Sequence, residues 1–333
     1  QTCALPISSP GAFGSGAIGG IVNVTTDASE NGFGADASMS YGSFGTAHQA
    51  FMARGGNDLG RFLVSAGRNA SDNDFRYFND RGTTIDTSDD GWDRRKNSDY
   101  EAWNLLARWD SDLVNGHGFS VKANLTDSKR GVSGLGRKPA LSARMSNDGL
   151  LVQARHRYRG LFDTHIWHMR QRAGLYDPMD EAGRRGRQDT DDRITVDGVS
   201  TRMKNILGPA ILHTNIELKR EKFDSSDAFD EAVIPASYRT TGGAGVEAEV
   251  MFAGGDLWIT PRIHASAVRD RIHNASLFLA QSVYDTVTSV DRSTLTYALG
   301  LRYRAHPSLT LRANAGVFPR LPEFGELFGD TGD

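Results

Sequence analysis

From Ser293 to Ala305 the chain alternates without interruption. Leu295, Tyr297, Leu299, Leu301 and Tyr303 fall on one parity, and Thr294, Thr296, Ala298, Gly300, Arg302 and Arg304 fall on the other. Successive side chains of a β-strand point to opposite faces, so this stretch makes a strand with one apolar face and one polar or small face. The same split recurs in Phe119, Val121, Ala123 and Leu125, and again in Leu309, Leu311, Ala313, Ala315 and Val317. Trp103 to Trp109, Leu150 to Ala154, Leu212 to Leu218 and Val246 to Phe252 follow it too. A sustained helical stripe at i, i+3, i+4, i+7 is almost nowhere present, and the chain reads as nearly all β.

Alternation alone does not separate a soluble sandwich from a membrane barrel. The connections do more. With strands of roughly 9 to 13 residues, the links run short and long in turn. Gly55 to Gly60 is short and Asn69 to Asp99 long; Asp110 to Gly118 is short and Asp127 to Asp148 long; Arg159 to Asp163 is short and Leu175 to Asp192 long. Asn205 to Pro209 is short and Phe223 to Gly242 long; Ala253 to Asp256 is short, Arg271 to Asp291 long, and His306 to Ser308 short. Tight turns on one rim and long loops on the other mark an outer-membrane barrel, in which every backbone group pairs between strands because lipid offers no partner. The expected fold is therefore an antiparallel transmembrane β-barrel, with about 13 strands between Phe33 and Phe318. Trp92, Trp103, Trp109, Tyr158, Phe162, Trp167, Tyr176 and Trp258 are candidates for interfacial aromatic girdles.

Composition removes other classes. A hydrophobic content of 38% and a charged content of 24% exclude a disordered chain. The net charge of -3, from 38 basic and 41 acidic residues spread along the chain, excludes a nucleic-acid-binding surface. The lone Cys3 excludes a disulfide scaffold or a cysteine zinc site. Residues 1–26 carry no charge but lack the basic start and apolar core of a signal peptide, and residues 1–8 read as adapter-like, non-native sequence.

Gly14 to Gly19 matches G-x-G-x-x-G literally, but a β-branched run follows where a dinucleotide site needs a helix, so no nucleotide is expected. The full string from Pro10 to Thr26 instead resembles the last plug segment of TonB-dependent outer-membrane receptors. Pro10, Gly14, Gly16, Ala17, Gly19, Gly20 and Asn23 carry the resemblance. Arg320-Leu-Pro-Glu-Phe-Gly-Glu-Leu-Phe-Gly329 is similar to that family's R-x-P-x-x-x-E-L-[FY]-G segment, about midway around the barrel. The resemblance implies residues 9–30 as the end of a plug domain and residues 31–333 as the first part of a barrel of about 22 strands, incomplete here. It further implies active uptake of a scarce solute such as an iron-siderophore, haem, cobalamin or a glycan into the periplasm. Energy would come from a TonB-ExbB-ExbD complex acting on an N-terminal box outside this sequence. Outer-membrane lipid and lipopolysaccharide are implied surroundings. Arg320, Glu323 and Glu326 become a candidate ligand-path loop. Phe318-Pro-Arg-Leu-Pro replaces the F-R-A-P box of the family's haem receptors.

No catalytic constellation, metal-ligand set or cofactor motif emerges. His165 and His168 fall on opposite faces of one strand, and the Asp-rich loops lack ligand spacing. Arg184, Arg185 and Arg187 interleave with acids in one loop and are candidates for anionic contacts. Two other readings stay open: a passive porin-like or adhesin-type barrel without energy coupling, and an outer-membrane hydrolase.

Overall fold

The computed structural model describes residues 32–319 apart from 84, 86, 113, 136–137, 183–185, 231–234 and 274–286, together with 321, 322 and 324. Thirteen strands form one antiparallel sheet in chain order. They are β1 (Gly32–Tyr41), β2 (Ala47–Asn57), β3 (Gly60–Ser71), β6 (Tyr100–Asp112), β7 (His117–Gly131), β10 (Arg144–Tyr158), β11 (Phe162–Asp177), β12 (Gln188–Leu207), β13 (Ala210–Asp227), β14 (Ser237–Phe252), β15 (Leu257–His273), β16 (Val287–His306) and β17 (Leu309–Val317). Two small hairpins stand in the long connections: β4 (Arg76–Asn79) with β5 (Gly91–Arg94), and β8 (Gly134–Leu135) with β9 (Lys138–Pro139). Among the described residues, β1 pairs only with β2 and β17 only with β16.

The short turns follow from local chemistry. In the turn Tyr158 to Leu161, Arg159 (φ 48°) and Gly160 (φ 67°) both take positive φ, and the Leu161 amide donates to the Tyr158 carbonyl at 2.8 Å. Positive φ at both central residues matches the right-handed twist of the flanking strands. In the turn Leu207 to Ala210, Gly208 (φ 59°) alone supplies the positive φ, ahead of Pro209.

The sheet is apolar on its accessible face. On β16, Leu295, Tyr297 and Leu299 are 50%, 52% and 52% exposed, while Thr296 between them is 9% exposed. The same order holds across the register: Tyr297 faces Ile263 on β15 and Val317 on β17. Among the described residues the largest fully buried side chains are Asp177, Asp270 and Ser111. A water-soluble core inverts this arrangement, whereas a wall with lipid outside and a polar lumen inside requires it.

The strands run further toward the long-loop rim than their apolar pattern does. The expected connection Asp127 to Asp148 shrinks to residues 132–143, and Phe223 to Gly242 shrinks to residues 228–236. Asp189, Asp191 and Asp192 lie in β12 rather than in a loop. Above the lipid neither face has to be apolar, yet the backbone ladder continues.

The aromatic girdle is only partly as expected. Trp109 pairs with Phe62, and Tyr158 with Phe162, on the outer face near the short turns. Trp103 lies on the outer face next to Glu101, where the apolar band ends toward the long loops. Trp167 and Trp258 point to the inner face, where they face Gly198 and Arg302. Trp92 belongs to the β4–β5 hairpin, edge-on to Phe78 at 6.0 Å. Tyr176 sits beyond Arg170 and Arg172 on the same outer face of β11, outside the apolar band.

Candidate functional site on the inner wall

Register brings the charges of the inner face together. Arg239 on β14 is the cross-strand partner of Asp270 on β15. Arg239 Nε and Nη2 donate to the two carboxylate oxygens at 2.6 and 3.0 Å, and Arg292 Nη1 on β16 adds a third bond at 2.8 Å. A buried carboxylate is tolerable only when its lone pairs are met in this way. Arg239 Nη1 also donates to the Pro322 carbonyl at 2.7 Å, and its guanidinium lies 5.4 Å from the centre of the Phe324 ring, itself 4% exposed. Phe318 sits 5.3 Å beneath the Arg262 guanidinium. Among the described residues, the chain beyond β17 therefore packs on the inner face, with Phe318 against β15 and Pro322 and Phe324 against β14.

Glycines elsewhere on the inner face make room for neighbouring side chains. A Cβ at Gly245 would lie 2.6 Å from Asn215 Oδ1 and 2.7 Å from His264 Cδ2. On β12, a Cβ at Gly198 would meet the Trp167 ring at 2.1 Å, so the indole lies flat over the bare backbone. Toward the short turns the wall is rich in guanidinium groups. Arg155 is paired with Asp163 and Arg108 with Asp110, and Arg302 stacks 4.5 Å from the centre of Trp258.

The long-loop rim is tied together by side chains. Glu181 Oε2 accepts from the amides of Leu141, Ser142 and Ala143 and from the Ser142 hydroxyl, at 2.7 to 3.2 Å. Asp177 in turn accepts from the amides of Glu181 and Ala182 at 2.8 and 2.7 Å. Asn97 donates to the carbonyls of Val132 and Ala143, and Arg144 holds Asp99 by two bonds of 2.8 Å. The Ser142 hydroxyl and the loop amides hold the Glu181 carboxyl below the usual carboxylate range. The Arg144 guanidinium does the same for Asp99. Three successive outer loops thus share one hydrogen-bonded seam.

The sheet superposes on solved transporters. The copper transporter OprC superposes with a TM-score of 0.70 at 13% identity, over 96% of this chain and 52% of that one. The unliganded ferric citrate transporter FecA gives 0.62 at 14% identity, over 93% and 48%. The FrpB iron transporter from Neisseria meningitidis, F3-3 variant, gives 0.63 at 13% identity, over 86% and 46%. The chain has the fold of a TonB-dependent receptor barrel. It spans about half the length of the solved structures it matches. No protein-family model and no curated protein matches the sequence.

The residues expected from the sequence at the plug end, Pro10, Gly14, Gly16, Ala17, Gly19, Gly20 and Asn23, lie outside the described residues, as do Arg320, Glu323 and Glu326. Their neighbours Pro322 and Phe324 are described, and they dock on the inner wall. His165 and His168 point to opposite faces as expected: His165 faces Ser200 inside, and His168 Nδ1 lies 2.7 Å from Asp197 Oδ1 outside. Among the described residues no group of three or more His, Cys, Asp or Glu is placed to hold a metal ion. Arg187 lies 4.2 Å from the centre of the Phe229 ring, and Arg184 and Arg185 lie outside the described residues. Sequence reading missed the Arg239–Asp270–Arg292 cluster, because residues 31 positions apart meet only once the register is known. The clue available was a pair of opposite charges at inner-face positions of neighbouring strands.

Proposed function

We propose that this chain builds part of the wall of a TonB-dependent receptor of the bacterial outer membrane, which actively imports a scarce solute into the periplasm. The observation that carries this reading is the inward strap. Pro322 and Phe324 are fixed to a buried charge cluster on the lumen face, so the lumen is partly filled rather than left as an open aqueous channel. A polar, charged inner wall and bonded outer loops suit a small polar or metal-chelate ligand entering from the long-loop side. The names of the matched structures, a copper transporter, an iron transporter and a ferric citrate transporter, favour a metal or metal chelate over a glycan or cobalamin. Residues 9–30 are the end of the plug in this reading, and the TonB-ExbB-ExbD complex is its energy source.

The test is uptake by the full-length receptor in cells with and without a functional TonB. The probes are radiolabelled ferric citrate, ferric catecholate, haem and copper. Saturable uptake of one probe that disappears without TonB supports the proposal. Uptake that is linear in concentration and indifferent to TonB assigns the chain to passive barrels instead.

A further inference from the structure

On the inner face near the short turns, Arg302 of β16 and Arg312 of β17 are direct cross-strand partners. Like charges placed directly opposite across a strand pair repel each other. Arg302 stacks on Trp258, which leaves its charge unneutralised, and Arg312 has no hydrogen-bond or ion-pair partner among the described residues. The two open onto a cavity of about 610 Å³ whose lining also includes Arg262, Glu247, Thr260 and Asn314. Glu247 is the cross-strand partner of Arg262, which leaves Arg302 and Arg312 as the cations of this lining to be accounted for. The next pair along the same face is Gly300 with Asn314, and a Cβ at Gly300 would lie 3.0 Å from Asn314 Oδ1, so the glycine leaves the amide space beside the arginines.

We infer that Arg302 and Arg312 form an anion site on the inner wall, which takes a carboxylate or phosphate group bridging both guanidiniums. Two planar forks on directly opposed residues match the oxygens of such a group. The inference rests on reading this face as the lumen. The anion comes either from an acidic side chain elsewhere in the receptor or from a free anionic solute.

The experiment compares full-length wild-type receptor, R302Q/R312Q and R304Q, purified in detergent. R304Q is the control, because Arg304 already has Asp256 at 2.7 Å. The readout is the midpoint of thermal unfolding, followed by loss of the heat-modifiable band, in chloride and in inorganic phosphate at equal ionic strength. A free-anion site raises the wild-type midpoint by several degrees in phosphate and leaves R302Q/R312Q unmoved. An internal carboxylate makes the wild type indifferent to phosphate, while R302Q/R312Q melts several degrees below both wild type and R304Q. Equal midpoints for wild type and R302Q/R312Q in both buffers, or an equal phosphate effect on both, overturns the site. If R302Q/R312Q does not assemble, the single variant R312Q, which leaves the Arg302–Trp258 stack in place, replaces it and is held to the same outcomes. Failure of that variant too assigns the arginines to packing and overturns the site. TonB-independent uptake removes the transport reading yet leaves the phosphate response intact, so the two failures are distinguishable.

Discussion

Arg239 and Asp270 face each other across β14 and β15, joined by two hydrogen bonds of 2.6 and 3.0 Å, with both side chains almost closed to solvent. The pair also fixes the strap, since the same guanidinium holds the Pro322 carbonyl. Removing one partner of a buried ion pair strands the other and costs about 3–5 kcal/mol. R239Q in the full-length receptor is expected to lower the urea midpoint by a corresponding amount and to open residues 318–324 to limited proteolysis. D270N is expected to show a smaller loss of strap protection, because Arg239 keeps its bond to Pro322. Equal protease resistance in wild type and R239Q would show that the strap is held by something else.

Gly198 lies beneath the Trp167 ring. G198V forces the indole off the wall, and overpacking of this kind costs about 1–3 kcal/mol. Trp167 fluorescence, isolated in a background where the other tryptophans are replaced by phenylalanine, is expected to shift to the red as the ring moves toward lumen water. An unchanged spectrum would mean that the ring does not rest on Gly198.

Leu299 and Ala298 are neighbours on β16 that face opposite sides of the wall. An arginine on the lipid side near the bilayer midplane costs about 2–4 kcal/mol, whereas one on the lumen side does not. L299R is therefore expected to reduce the amount of folded receptor in outer-membrane fractions strongly, and A298R, which meets only the like charge of its cross-strand partner Arg262, to do so less. The opposite ranking would invert the assignment of the faces.

Glu181 sets the pH response of the rim. Its carboxyl is held below the usual range by the Ser142 hydroxyl and the amides of residues 141–143. A carboxyl whose proton affinity falls on folding stabilises the folded loops at every pH above the ordinary glutamate range. It loses that contribution as pH drops through the lowered value. Hydrogen-exchange protection of the Leu141, Ser142 and Ala143 amides is expected to be full at neutral pH and to fall only on acidification beyond the ordinary glutamate range. E181A should show the unprotected pattern throughout. Asp99, lowered by Arg144, acts in the same direction.

Much of the fold was legible because alternation reports the side of a wall directly. Thirteen strands between Phe33 and Phe318 were expected, and the sheet holds thirteen between Gly32 and Val317. The pattern stops reporting where lipid stops. Tyr238 and Arg239 were assigned to a connection because the apolar face of β14 starts only further along, at Ala244 and Val246. Alternation also gives the face of a residue but not its partner, so neither Arg239–Asp270 nor Arg302–Arg312 could be read from spacing. Trp167 and Trp258 misled for the opposite reason. Their size suggests an interface, but each occupies a lumen position that a facing glycine or arginine makes available.

β12 runs from Gln188 to Leu207, and its outward apolar residues begin only at Val199. At about 3.3 Å per residue the strand is roughly 66 Å long. Tilted by about 45°, it stands roughly 45 Å tall against an apolar band of about 25 Å. The excess lies on the long-loop side, where the strand stands clear of the apolar band. In the receptor proposed above, a solute arriving from this side would meet protein wall before it drew level with the membrane.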